Sequence, residues 1–261
     1  MASETIVVER RADGVGVITL SRPDRLNALS SEVATALREA VEEVGRDAAI
    51  GAIVVAGEGK AFCAGADIAE LDALAGPHDF ARFIRGLNEP LDALAACPRP
   101  SVAAVHGVAF GGGLELALAC DLRVAEDTAR FGVPEIRLGL LPGLSGTARL
   151  SRMLPKAIAK QLLLTGEPLS AVDAHRLGMV NEVVAAGGAL EAALALAVKL
   201  ASLPPLALAA AKRLVDEGAS MPLAAAITFE RETVAMLFGT EDRVEGVRAF
   251  LEKRAPTFRG R

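Results

Sequence analysis

Apolar positions along the chain follow two spacings, and each spacing predicts its own elements. Residues 6–9 and 15–20 are short apolar runs on either side of the turn sequence Ala12-Asp13-Gly14, so the chain opens as a hairpin. After Arg22-Pro23 the spacing becomes helical: Val33, Leu37, Val41 and Val44 share one face, and Ser30 or Ser31 can cap a helix reaching about Gly45. Residues 52–56 are a short β-branched run, hence a buried strand. Phe80, Phe83, Ile84, Leu87, Leu91 and Leu94 form the inner face of a second helical region, which Pro90 should start, break or kink. Residues 101–108 and 122–125 predict two more buried strands, with a helix over 114–120 between them. From about Gly188 the strands stop, and residues 190–202, 206–217, 223–238 and 241–253 read as helices separated by Pro204, Pro222 and glycines. Repeated strand, loop and helix with β-branched strands implies an α/β core of parallel crossovers, followed by an all-helical part packed against it. The expected division is residues 1–200 for the α/β core and 201–261 for the helical C-terminal region.

Composition narrows the classes of function. The formal net charge of −5 argues against a general electrostatic grip on nucleic acid, and the absence of Trp and Tyr removes most stacking platforms. Residues 1–11 carry acids and read as the approach to a strand, not as a secretory leader. The richest apolar stretch, residues 102–118, is broken by His106, four glycines and Glu115, so no membrane span is expected and the expected location is cytoplasmic. Cys63, Cys97 and Cys120 are odd in number and lack metal-like spacing, which predicts free thiols and no metal site.

Three features carry candidate chemistry. Gly111-Gly112-Gly113 falls between a strand and a helix, where unpaired N–H groups meet the positive end of the helix dipole. Such a run suits a phosphate or a developing oxyanion, and equally a tight turn with close helix–strand packing. Glu115 stands among Leu114, Leu116, Ala117, Leu118 and Ala119, so it is paired in a salt bridge, protonated or functional. Glu135 is framed by Val133, Pro134 and Ile136 and is followed by the side-chain-poor run from Gly139 to Gly146. Taken together, two glutamates beside glycine-rich loops favour an acid/base site.

The blocks Ala61-Phe62-Cys63-Ala64-Gly65-Ala66-Asp67-Ile68, Phe110-Gly111-Gly112-Gly113-Leu114-Glu115-Leu116-Ala117 and Phe131-Gly132-Val133-Pro134-Glu135-Ile136 resemble the signatures of the enoyl-CoA hydratase (crotonase) family. Asn27-Ala28-Leu29 and the segment from Thr240 to Gly246, with Phe250 and Lys253, fit the same pattern, in the family's order. The resemblance implies a crotonase-type spiral of ββα turns with a C-terminal helical trimerisation region, assembled as a homotrimer or homohexamer. It implies a coenzyme A thioester as substrate and no separate cofactor. Glu115 and Glu135 match the family's catalytic glutamates, and Ala66 and Gly112 match its two oxyanion-hole donors. Arg25, Leu26, Ala64, Asp67, Ile68, Gly111, Pro134, Leu144 and Lys253 fall at positions the resemblance associates with substrate or CoA.

The same resemblance separates activities by residue type. Mono-enoyl isomerases of the family usually replace the first glutamate by an apolar residue, and dienoyl isomerases carry Asp there and another eight residues after the second. Glu115 and Gly143 stand at those positions, which favours hydration of a 2-trans-enoyl-CoA in fatty-acid or related acyl-CoA degradation. The competing expectations are an isomerase or another CoA-thioester enzyme of the same fold, and a non-catalytic scaffold or RNA-associated member. Departures from the pattern are Leu144, Ser145 and Ala148 on the wall near Glu135, and Val234 in place of an aromatic in the C-terminal helices.

Overall fold

A computed structural model describes residues 5–261; the predicted strand approach over residues 1–4 lies outside them. The strands β1 (Ile6–Arg10) and β2 (Val15–Leu20) pair antiparallel as the predicted hairpin. A 3-10 turn at Pro23–Arg25 leads to α1 (Ser31–Arg46), capped by the Ser30 side chain accepting from the Val33 N–H. Next come β3 (Ala52–Gly57), the short α2 (Ile68–Asp72) and α3 (Pro77–Ala96). Of the outcomes expected at Pro90, neither a start nor a break occurs: α3 runs through it, with the Pro90 ring buried.

The strand predicted over 101–108 divides into β4 (Ser101–Val105) and β5 (Val108–Phe110), which belong to different sheets. The division falls at His106-Gly107. Gly107 adopts φ +57, and a Cβ there would stand 2.1 Å from the Lys60 carbonyl oxygen, so the turn needs glycine. After β5 the chain forms α4 (Gly112–Ala119), β6 (Leu122–Glu126) and β7 (Arg130–Gly132). A 3-10 turn at Pro134–Leu138 precedes α5 (Gly146–Met153), α6 (Lys156–Thr165), β8 (Leu169–Ser170), α7 (Ala171–Arg176) and β9 (Glu182–Val184). The final elements are α8 (Ala189–Ala201), α9 (Pro205–Gly218), α10 (Leu223–Phe238) and α11 (Glu241–Glu252).

The larger sheet has the order β1-β2-β3-β4-β6-β9 and is parallel apart from the β1–β2 hairpin; β5, β7 and β8 form a smaller one. The chain repeats a two-strand, one-helix turn as β1-β2-α1, β4-β5-α4 and β6-β7-α5. Period-2 alternation divides each central strand between two cores. Ile53, Val55, Ala103 and Val105 face the main core, with Leu37, Leu87 and Leu116. Ala52, Val54, Val102 and Ala104 face a second layer closed by Ala193 and Ala197 of α8. The near-continuous apolar strands are thus buried on both faces.

Beyond α8 the helices add little to that core, although Lys212 of α9 pairs with Asp121 at 3.0 Å and donates to Leu94 O at 3.3 Å. Neither α9 nor α10 contains a buried residue, and Leu223, Met236, Phe238 and, in α11, Phe250 are each at least 66% exposed. The C-terminal tail folds onto α11, where Asp242 accepts the Arg259 and Gly260 N–H groups and Glu245 pairs with Arg254. Among the described residues no single helix is long and apolar enough to cross a membrane. Only α8 and α9 together, bent by 110°, reach that length and composition.

Candidate active site

The first wall of the site is the loop after β3. Its shape is set by Asn27, which is 1% exposed and uses its whole side-chain amide. Asn27 Nδ2 donates to the Glu58 and Ala61 carbonyls at 2.9 and 2.8 Å, and Oδ1 accepts the Arg22 N–H at 2.9 Å. Leu29 then forms a parallel bridge with Ala66: the Leu29 N–H donates to Gly65 O, and Leu29 O accepts from the Asp67 N–H. In such a bridge the middle residue turns its own amide away from the partner strand. The Ala66 N–H accordingly donates to no acceptor among the described residues.

The second wall is the β5–α4 junction. Gly111 has φ 50 and ψ −124, a conformation open to glycine, and a Cβ there would stand 2.8 Å from Glu135 Oε1. A Cβ on Gly113 would lie 2.1 Å from the Cys63 carbonyl oxygen, so close packing dictates that glycine. The tight turn and close packing expected of this glycine run are therefore present, at Gly111 and Gly113. Gly112, between them, opens α4 with an N–H that finds no acceptor among the described residues. It lies beside Ala66: a Cβ on Gly112 would stand 3.5 Å from the Ala66 nitrogen.

Glu115 lies one turn into α4 and is 1% exposed. No salt bridge holds it among the described residues. Its Oε1 instead accepts the N–H groups of Leu144 at 2.7 Å and Gly146 at 2.6 Å. Burial pushes its carboxyl up to about 7; the Glu135 charge adds to the rise, while the two amides and the Arg149 charge oppose it. Glu135, in the 3-10 turn after β7, is also raised by burial, and its Oε2 is buried without a hydrogen-bond partner. Two carboxyls with elevated proton affinity thus share one hollow.

The run holding Glu115 is itself anchored from α3. Asn88 Nδ2 donates to the Gly143 carbonyl at 2.9 Å and to Ile84 O at 3.0 Å. Ser145 adopts a left-handed conformation, φ 78 and ψ 8, and its hydroxyl donates to Asn88 Oδ1 at 3.4 Å. Neither Asn27 nor Asn88 has a role assigned from sequence. Asn27 lies in a family-like block, but Asn88 carries no sequence signal, since it is one polar residue on a helix.

A cavity of about 90 Å3 joins these parts. Of the expected residues, Ala64, Ala66, Ile68, Gly111, Gly112, Pro134 and Leu144 line it together with Glu115 and Glu135. Arg25, Leu26, Asp67 and Lys253 do not. Asp67 caps α2 through the Ala69 N–H and pairs with Arg22 at 3.1 Å. Arg25 and Leu26 are exposed at the first 3-10 turn, and Lys253 is exposed at the end of α11. A larger polar hollow of about 430 Å3 lies at α11, but its carboxylates Asp242 and Glu245 are engaged by the tail. Among the described residues no group of three or more His, Cys, Asp or Glu could hold a metal ion. The three cysteines are buried and free.

The chain is similar to known proteins over nearly its whole length. The family model for enoyl-CoA hydratase/isomerase matches residues 10–261. The 2,3-dehydroadipyl-CoA hydratase of Escherichia coli is 42% identical over 260 residues, covering 99% of this chain and 100% of that protein. An enoyl-CoA hydratase subunit I from Geobacillus kaustophilus superposes with a TM-score of 0.92 at 42% identity, covering 99% and 100% of the two chains. An enoyl-CoA hydratase from Bacillus anthracis superposes at 0.95 with 34% identity, covering 98% and 100%. The repeated ββα units and C-terminal helices are the crotonase-type architecture of these structures. With a match over nearly its whole length in sequence and in fold, the chain belongs to the enoyl-CoA hydratase/isomerase family.

Proposed function

We propose that the chain is an enoyl-CoA hydratase, a hydro-lyase that reversibly adds water across the double bond of a 2-trans-enoyl-CoA to give 3-hydroxyacyl-CoA. The observation that carries this reading is the pair of buried, proton-retaining glutamates facing one apolar cavity beside two uncommitted backbone N–H groups. The Ala66 and Gly112 amides hold the thioester oxygen and bind it more tightly as it gains charge. Each such donor contributes on the order of 3 kcal/mol to the transition state. Glu115, held by Leu144 and Gly146 through one oxygen, keeps the other for a water molecule and takes its proton. Glu135 delivers a proton to the α-carbon, and the roles reverse in dehydration. Both transfers occur on one face, so addition is syn. An isomerase only moves a proton between carbons, which one glutamate can do, so the second acid at Glu115 favours hydration.

The same proposal assigns residues 1–200 to the catalytic core and 201–261 to assembly. The exposed apolar side chains of α10 and α11 favour a homotrimer or homohexamer, and the proposed location is the cytoplasm. Arg25, Leu26 and Lys253 would meet the nucleotide end of CoA, outside the cavity, and Asp67 would border the substrate at the start of α2. The test is direct: purified protein mixed with crotonyl-CoA should consume the enoyl absorbance, and no turnover with enoyl-CoAs of four to ten carbons would remove the hydratase reading.

A further inference from the structure

Strand β6 places a charged side chain where the fold otherwise buries apolar ones. Leu122 and Val124 face the layer closed by α8, so strand alternation turns Arg123 and Ala125 toward the main core. Arg123 is 4% exposed there. Its guanidinium donates to backbone oxygens: Nη1 to Ala117 O at 3.0 Å and Cys120 O at 2.8 Å, Nη2 to Asp121 O at 3.2 Å, and Nε to Met179 O at 2.6 Å. The Ala117, Cys120 and Asp121 carbonyls lie in the last turn of α4 or in the two residues after it. Among the described residues no carboxylate pairs with Arg123. The Asp121 charge reaches it, but the Asp121 carboxylate is held by Lys212 Nζ at 3.0 Å and by the Ser101 N–H and hydroxyl at 2.7 and 2.9 Å. An arginine keeps its charge in such a setting, so a buried cation stands against the negative end of a helix dipole.

A charge at that end acts on the other. The opposite end of α4 is Gly112, which lines the cavity and whose N–H has no acceptor among the described residues. The eight residues between span about 12 Å, and every one of them is buried, so water and salt screen little of the field along the helix. An oxyanion at the N-terminal end feels both ends of the dipole, and the negative end subtracts from the positive one. A positive charge beside the negative end cancels that subtraction. At an effective dielectric of about 20, a unit charge about 12 Å from a developing oxyanion changes its stabilisation by about tenfold in rate. Hydrogen bonding by itself does not call for a charge here, since a Gln amide also donates to carbonyls and costs less to bury.

We propose that Arg123 is a positioning residue for the reaction, whose buried charge at the C-terminal end of α4 strengthens the grip of the Gly112 amide on the thioester oxygen in the transition state; the inference rests on the hydratase reading above. The test compares kcat and KM for crotonyl-CoA at about pH 8, where Glu115 is ionised, in wild type, Arg123→Met, Arg123→Gln and Arg123→Lys, with folding checked by circular dichroism. Both neutral variants should lose about tenfold in kcat with KM changed by less than about threefold, because the charge acts on the transition state more than on the bound thioester. Arg123→Lys keeps the charge without the planar fork of donors, and should recover kcat to within about threefold of wild type. Equal losses in the Lys and Met variants, or folded neutral variants with kcat within about threefold of wild type, overturn the inference and leave the hydratase reading intact. Where the neutral variants do not fold, the Lys variant decides: a kcat lowered about tenfold in folded Arg123→Lys overturns the inference, and recovery supports it. Wild-type protein that hydrates no enoyl-CoA removes the hydratase reading, and the inference with it.

Discussion

Replacing Glu115 by Gln should make the protein slower and more stable at once. Oε1 of Gln can still accept the Leu144 and Gly146 N–H groups, so the wall keeps its shape. The proton transfer is lost, and turnover should fall by about a hundred- to ten-thousandfold, or about 3–5 kcal/mol in the barrier. Stability moves the other way. A carboxyl raised from 4.5 to about 7 binds its proton more tightly in the folded than in the unfolded chain. Folded wild-type protein therefore loses stability as pH rises through this interval, by about 3 kcal/mol in full. The buried amide of Gln gives back about 1 kcal/mol for its unpaired NH2. Above about pH 8 the variant should be more stable by about 2 kcal/mol, and below about pH 4.5 it should be less stable by about 1 kcal/mol. Urea denaturation at the two pH values, with turnover of crotonyl-CoA, measures both effects. A pH-independent stability difference, or turnover within tenfold of wild type, would refute the reasoning.

Wild-type kcat/KM for hydration should decline below about pH 7, because Glu115 must be ionised to accept the water's proton; a flat profile from about pH 5 to 8 would contradict its role as base. Ser145→Gly should raise stability by about 1 kcal/mol by relieving a left-handed backbone, read as a higher denaturation midpoint. Asn27→Ala should cost about 3 kcal/mol, since it leaves the Arg22 N–H and the Glu58 and Ala61 carbonyls unpaired under the oxyanion loop. Asn88→Ala should lower kcat about tenfold or more with a smaller change in KM, by freeing the loop that aims two amides at Glu115; kinetics on folded protein decide this.

The apolar pattern made the parallel core legible because burial on both faces leaves its own mark: β3 and β4 are unbroken runs of small and β-branched residues. The helices α1 and α8 to α11 were legible for a similar reason, since each is long enough for its period and its end signals to be read. The chain between β6 and α8 was not. Its strands β7, β8 and β9 have three, two and three residues, too few for any period, and they are placed by neighbours distant in sequence. The end of β4 was missed because a positive φ at Gly107 is invisible in an otherwise apolar run. At the site, Glu115 and Glu135 stood out as acids in apolar surroundings. Asn88 did not, since its importance lies in a carbonyl 55 residues away in sequence. Of the fates expected for Glu115 the salt bridge does not form; the solution is capture by the backbone of a loop that sequence marked only as side-chain-poor.

That solution links the glycine-rich runs to one another. The site uses four backbone amides in two pairs: those of Ala66 and Gly112 stay free, and those of Leu144 and Gly146 fix Glu115. Each pair needs backbone brought close to a cavity, which bulky side chains would block. A Cβ on Gly146, for example, would lie 2.8 Å from Glu115 Oε1. Amide dipoles fixed in this way are strong only where water is excluded, and the aliphatic wall excludes it. The same exclusion raises both carboxyls toward neutral pH. On the proposed mechanism, the energy lost in burying Glu115 and the force the amides exert on a developing oxyanion therefore have one cause. A variant that admits water, such as Leu144→Ala, should weaken both together.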